Sequence, residues 1–325
     1  MALKAFAGVR ISDSISGPPS AADYAWDRSF RFLAWSGAWI ILALAAYILW
    51  KIGGQALPAI AKYGLGFVTS STWDVGKEEF GILPQIWGTL YSSILALIIG
   101  GLFGVSMAIF LTQEFLGPRL AAIFRTVVEL LAAIPSVVYG LWGIYVVIPT
   151  LRPLANWLNS EFSWVPFFGT SLCGPGMLPA AVVLAIMILP TIAAVSQDAL
   201  RRIPYKVKEA AYGMGTTRSE AIFRVMLPTA SSGIFGAMVL GFGRALGETM
   251  ALAMLIGNAN QLSLSLFAPA DTLASLLASN FPEAGKIEIE ALMYAAMALL
   301  AINMLINVIG LYMMQLSARK FEGKK

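Results

Sequence analysis

The sequence predicts an all-α protein that crosses a membrane about six times, and two observations carry that prediction. Hydrophobic residues make up 58% of the 325-residue chain and charged residues only 12%. Soluble domains run near 25% charged, so half of the usual polar cover is missing. The mean hydropathy is +0.75, and the apolar residues gather into runs of the roughly 20 residues that a spanning helix needs. Six runs qualify, at about 32–51, 87–111, 121–149, 177–198, 233–257 and 291–316. Length alone would suggest about two soluble domains, but the apolar runs favour one bundle of membrane helices.

Residues 1–31 are polar and mixed in charge and lack the early apolar core of a cleaved signal peptide. They are read as a flexible cytoplasmic tail. The first run is then a retained anchor, and with its outer loop it forms a region at 32–84. A core of about five further spans covers 85–318, and 319–325 is a second cytoplasmic tail. The run at 121–149 holds Arg125 and Glu129 near its start and Pro135 in its middle, so its helix is expected to begin late or to break at the proline.

Charge sets the orientation. Lys4, Arg10, Arg28, Arg31, Arg119, Arg125, Arg201, Arg202, Lys206, Lys208, Arg218, Arg224, Arg319, Lys320, Lys324 and Lys325 fall on one side of these spans. Only Lys51, Lys62, Lys77, Arg152 and Lys286 fall on the other, and Arg244 lies within a span. The positive-inside rule puts both termini in the cytoplasm, so the formal net charge of +4 reflects topology rather than a nucleic-acid surface. The single cysteine, Cys173, falls in an outer loop and permits no intrachain disulfide. Without histidine, a His/Cys metal cluster and a His-based triad are excluded. No Walker-type phosphate loop is present, so any ATP must be bound by another chain.

The most polar stretch of the second half, 198–228, joins the fourth and fifth runs. Pro204 suits a helix start, residues 205–214 favour helix, and Gly213 and Gly215 offer a left-handed stop. Ser219 to Phe223 restarts a helix and Pro228 precedes the return to the membrane. Within it stand Glu209, Ala210, Ala211, Gly215, Val225, Leu227 and Pro228. That register resembles the E-A-A-x3-G-x9-I-x-L-P signature of ABC importer permeases, with Val225 in place of isoleucine. ELLAAIPSVVYGLWG (129–143) and GRALGETMA (243–251) are further similar to permeases of the phosphate-specific Pst transporter, of the C type rather than the shorter-tailed A type. The likeness covers roughly 85–318. It implies a type I importer permease fold in the bacterial inner membrane, working as half of a heterodimeric pore. A second Pst-type permease, two ATPase subunits holding ATP and Mg, and an extracytoplasmic phosphate-binding protein would complete the importer. The chain itself would be no enzyme and hold no cofactor or metal. Glu209, Ala210, Ala211, Gly215, Leu227 and Pro228 would dock on the ATPase.

The fifth run contains two charges, Arg244 and Glu248, each costing about 2.5–3.5 kcal/mol at a helix centre. On a continuous helix they are i,i+4 neighbours, and an ion pair facing the bundle interior is expected. Two readings stand. The pair locks helix packing beside Gly243 and Gly247, or Arg244 meets a passing anion while Glu248 tunes it. Arginine suits the second, because its fork of donors matches phosphate and stays charged when desolvated. Glu129, Ser136 and Thr249 join Arg244 and Glu248 as candidate pathway residues, with Glu129 alternatively paired to Arg125. Pro190 and Thr191 in the fourth run admit packing or pathway roles. Asp271, Glu283, Glu288 and Glu290, against Lys286 alone, would give the outer loop 260–290 an acidic face that holds a soluble partner or is simply solvated. Rival functions are a permease for molybdate or sulfate, a passive anion channel, and a phosphate-sensing scaffold.

Overall fold

The computed structural model describes residues 20–113, 115 and 117–322, and from 317 onward as backbone alone. The N-terminal tail expected at 1–31 lies outside these residues up to 19, as do 323–325 of the C-terminal tail. From Ala21 the chain is already helical: α1 runs Ala21–Tyr63, about ten residues ahead of the apolar run. Ser20 and Asp23 explain the early start. The Ser20 backbone N–H donates to Asp23 Oδ2 at 2.8 Å and the Asp23 N–H to Ser20 Oγ at 3.3 Å, a reciprocal N-terminal cap. An Asp27–Arg31 pair at 3.3 Å supports the next turn.

The chain divides into two compact units, 1–54 and 55–325. The described part of the first is the α1 segment to Gly54, whose aromatic side chains Trp26, Phe30, Trp35, Trp39 and Trp50 are exposed. The second unit contains everything else. After the helical turn α2, Gly66–Thr69, a two-stranded hairpin pairs β1 (Trp73–Asp74) with β2 (Glu79–Phe80). The long helix α3 follows at Leu83–Thr112.

The third apolar run is divided, as Pro135 allows. Helix α4 spans Pro118–Ala133, Ile134 and Pro135 are extended, and α5 starts at Ser136 and ends at Trp142. Proline removes an N–H and pushes the preceding residue out of the helical region. A π-helical turn, Gly143–Val147, leads into α6, Ile148–Phe162. The membrane-crossing length is therefore Ser136–Phe162, displaced from the expected 121–149. Helix α7, Met177–Arg201, passes through Pro190 without a break.

The polar stretch folds as α8 (Tyr205–Gly213), α9 (Arg218–Glu220), a π turn and α10 (Leu227–Thr229). A 70° bend then leads into α11, Ser231–Leu246. The expected continuous helix over 233–257 does not form. The chain leaves helix at Gly247–Thr249 and resumes in α12, Met250–Leu255. Glycines at 241, 243 and 247 weaken helix propensity there. Helices α13, Leu273–Asn280, and α14, Lys286–Glu322, complete the unit. Among the described residues, five helices are long and apolar enough to cross a membrane, or six if the bent pair counts as one span.

Helices α3, α7 and α11 form the centre, and their glycines let backbones approach as small residues do between membrane helices. A Cβ on Gly100 would sit 2.8 Å from the Ala185 carbonyl oxygen, and one on Gly241 2.6 Å from Ile192 Cγ1. Ile188 and Ile192 are fully buried between them.

Candidate functional site

Two broken helices lie against each other. Helix α5, which starts after the Pro135 break, packs on α12, which starts after the Gly247–Thr249 break. Gly140 and Gly143 make this possible: a Cβ on Gly140 would lie 2.7 Å from Met254 Sδ, and one on Gly143 2.6 Å from Leu255 Cδ1. Tyr139 sits in the same seam, and its hydroxyl donates to the Leu131 carbonyl at 2.9 Å. That bond satisfies a carbonyl orphaned where α4 ends.

At the break, the expected Arg244–Glu248 ion pair is absent. Arg244 is the third-last residue of α11, whereas Glu248 lies beyond the helix end, so the i,i+4 geometry is lost. The Glu248 carboxylate instead accepts the Ala251 N–H at 3.4 Å, at the start of α12. Thr249 donates to the Gly247 carbonyl at 3.2 Å. Arg244 Nη1 donates to Thr191 Oγ1 on α7 at 3.2 Å. Its guanidinium is exposed in a concavity of about 540 Å³ lined by Thr191, Leu240, Gly243, Asn303 and Asn307. Among the described residues no carboxylate lines it. The arginine thus has one neutral partner and spare donors.

The other candidates are dispersed. Glu129 and Arg125 are both exposed on α4, and the described ion pairs do not join them. Ser136 opens α5 and is half-buried. Asn303 and Asn307 on α14 were missed, although two polar residues at i,i+4 in the run AINMLINVIG are a visible signal that one face of the last span is polar.

The 198–228 segment has the shape its residues suggested, with one change: Gly213 ends α8 in helical conformation and, of the two, Gly215 alone takes positive φ, at +80°. Thr217 and Glu220 form a reciprocal capping box that restarts the helix. Ala211 is buried against Ile222 and Met226, whereas Glu209 and Ala210 are exposed. Arg218 anchors the segment to the end of α3, donating to the Gln113 carbonyl and stacking 4.2 Å from the Phe115 ring centroid.

In the 260–290 segment the structure corrects one residue of the expected acidic face and leaves Glu283 exposed. Asp271 is buried rather than solvated, and Lys286, Glu288 and Glu290 belong to the first turns of α14. Asp271 Oδ1 accepts from Ser275 Oγ at 2.6 Å and from the Thr272 N–H at 2.8 Å, and Oδ2 accepts from Gln85 Nε2 at 3.3 Å. Burial nonetheless pushes its carboxyl above the ordinary value, against the pull of those three donors. The surrounding loop is stitched to α3 by Trp87 donating to the Ser263 carbonyl and Tyr91 to the Leu264 carbonyl, at 3.0 and 2.9 Å.

Comparison with known proteins agrees with this arrangement. Residues 100–323 match the family described as binding-protein-dependent transport system inner membrane component. The chain is 39% identical over 304 residues to the phosphate transport system permease protein PstC of Mesorhizobium japonicum, covering 90% of this chain and 91% of that protein. It is 37% identical to the PstC of Pasteurella multocida, covering 92% and 93%. Among solved structures, a bacterial alginate ABC transporter in complex with an alginate pentasaccharide-bound periplasmic protein aligns with a TM-score of 0.61. That match covers 88% of this chain and 95% of the other at 17% identity, a likeness of fold alone.

Proposed function

The chain belongs to the family of binding-protein-dependent transport system inner membrane components, and from that premise we propose that it moves inorganic phosphate into the cytoplasm as one permease subunit of an ATP-driven importer. It is a multi-pass inner-membrane protein and a transport subunit rather than an enzyme. The observation that carries the reading is Arg244, a cation on a membrane helix whose recorded partner is the neutral Thr191 hydroxyl. An uncompensated charge is costly in a membrane and marks an ion pathway. The near full-length likeness to two proteins named as phosphate permeases supplies the anion.

In this reading Arg244 attracts phosphate with its donor fork. A single fixed cation holds an anion weakly enough for release. Glu248 and Thr249 shape the broken-helix turn beside it, and Ser136 and Glu129 border the pathway where α4 gives way to α5. On the cytoplasmic side Glu209, Ala210, Ala211, Gly215, Leu227 and Pro228 form the docking element for one of two ATPase subunits. A second permease completes the pore, and a soluble phosphate-binding protein delivers the anion from outside. ATPase closure pulls on α8 and reorients the spans, so access alternates between the two sides. Both termini face the cytoplasm, as the distribution of Lys and Arg requires, and Cys173 faces out.

The test is ATP-driven uptake of labelled phosphate, sulfate and molybdate into vesicles holding the complete complex. Phosphate alone should accumulate. Preferential accumulation of another oxyanion would replace the substrate, and flux without ATP would indicate a channel.

A further inference from the structure

Asn303 and Asn307 stand one turn apart in a stretch of α14 otherwise made of Ala, Ile, Met, Leu, Val and Gly. Glycines bring that face close to α11. A Cβ on Gly310 would lie 2.5 Å from Val239 Cγ2, and one on Gly243 3.6 Å from Asn307 Oδ1. Both asparagines therefore line the concavity that exposes Arg244. Asn303 Oδ1 is enclosed and has no hydrogen-bond partner. An enclosed acceptor without a donor is unfavourable, and turning the amide would bring it to the concavity, where a ligand can supply the donor.

We propose that Asn303, supported by Asn307, makes the Arg244 site selective for a tetrahedral oxyanion that carries hydrogen. The proposal rests on the phosphate reading above and deepens it. Arg244 offers donors only, and the Thr191 hydroxyl already accepts from it. Thr191 keeps one lone pair, and the two amide carbonyls are the further side-chain acceptors of the lining. Rotation about Cβ–Cγ lets Asn303 present either its carbonyl or its NH2 group to the concavity. Phosphate and arsenate near neutral pH bear one or two O–H groups, and one of these can donate to the carbonyl. Sulfate bears none, so its oxygens would face the carbonyl oxygen with no hydrogen between them. A site built around a hydrogen bond rejects the analogue that lacks it. An amide does this without adding negative charge, which a carboxylate in the same place would set against the anion.

The experiment uses the assembled transporter in lipid nanodiscs, without the soluble binding protein, so that selection upstream is removed. The probe is inorganic phosphate, read by broadening of its phosphorus-31 resonance. Excess arsenate should restore the sharp line, whereas sulfate should need about tenfold more, the discrimination expected of one hydrogen bond. In Asn303→Leu, sulfate should compete as well as arsenate; Asn307→Leu provides a second, milder variant should the first fail to assemble. Equal competition by sulfate in the unmodified complex would overturn the proposal, as would retained discrimination in both variants. Absence of broadening in a complex that still drives phosphate uptake would remove the site but leave the transport reading. A complex that takes up no phosphate with ATP and binding protein present would sink that reading itself.

Discussion

Arg244 and Asp271 are both charged-type residues set among apolar helices, and the protein treats them in opposite ways. Asp271 is closed off: three donors from its own chain occupy its two oxygens, and one of them, Gln85, comes from the start of α3. Arg244 is left open, with one neutral bond and a guanidinium exposed to a concavity. A group whose valences are filled from within holds structure. A group with valences to spare awaits something that is not part of the chain. On the proposed reading, the difference separates a lock from a site without appeal to where either stands in the sequence.

This contrast can be broken from the Asp271 side. Asp271→Leu should cost the most, about 3 kcal/mol in total, because Ser275, the Thr272 N–H and Gln85 all lose an acceptor and each keeps only a second partner, in Thr272, Ser275 and Asn260 respectively. A thermal melt of the assembled complex measures it, and a near-neutral result would mean that Asp271 locks nothing. Gly88→Ala should follow at about 1–3 kcal/mol, since its Cβ would collide with the Asp271 carbonyl oxygen. Uptake per surviving complex should be unchanged in that variant if the cluster is purely structural.

Asp271→Asn sharpens the comparison through pH. The folded carboxyl titrates above its ordinary value, so the fold binds the proton more tightly than the unfolded chain does. That contribution is fully present below the ordinary carboxylate range and is lost as pH rises through the folded value. The melting temperature of the natural chain should therefore fall across that window, and Asp271→Asn should flatten the fall. A slope that persists in the variant would assign it to another group. Smallest of all, Glu248→Gln should shift stability within about 0.5 kcal/mol, because among the described residues its carboxylate makes one long bond, to the Ala251 N–H. A large loss would restore the ion pair that the structure lacks.

The sequence misjudged the partners of these two residues, and the reasons are physical. Six apolar runs are legible because the bilayer demands length and hydrophobicity from each span. The shape of the 198–228 segment is legible because Gly215 and the Thr217–Glu220 cap act locally. Arg244 and Glu248 were read as neighbours because i,i+4 spacing implies contact only while the helix continues, and it ends at Leu246. The glycines at 241, 243 and 247 were present as a warning. Asp271 looked solvated because it lies in a polar loop, and its partner Gln85 is 186 residues away. No local pattern carries that contact. Asn303 and Asn307 were legible and overlooked.

The central claim is that Arg244 is kept in the membrane to meet an anion and not to hold Glu248. Labelled phosphate uptake, normalised to assembled complex, tests it in Arg244→Gln and in the double change to Gln at 244 and 248. Losing a charge-assisted contact of about 2 kcal/mol should lower uptake roughly 30-fold in the single variant. The account predicts that the double variant assembles normally and remains as inactive as the single one. Recovery of transport in the double variant would show that the two charges matter only to each other and would contradict the account.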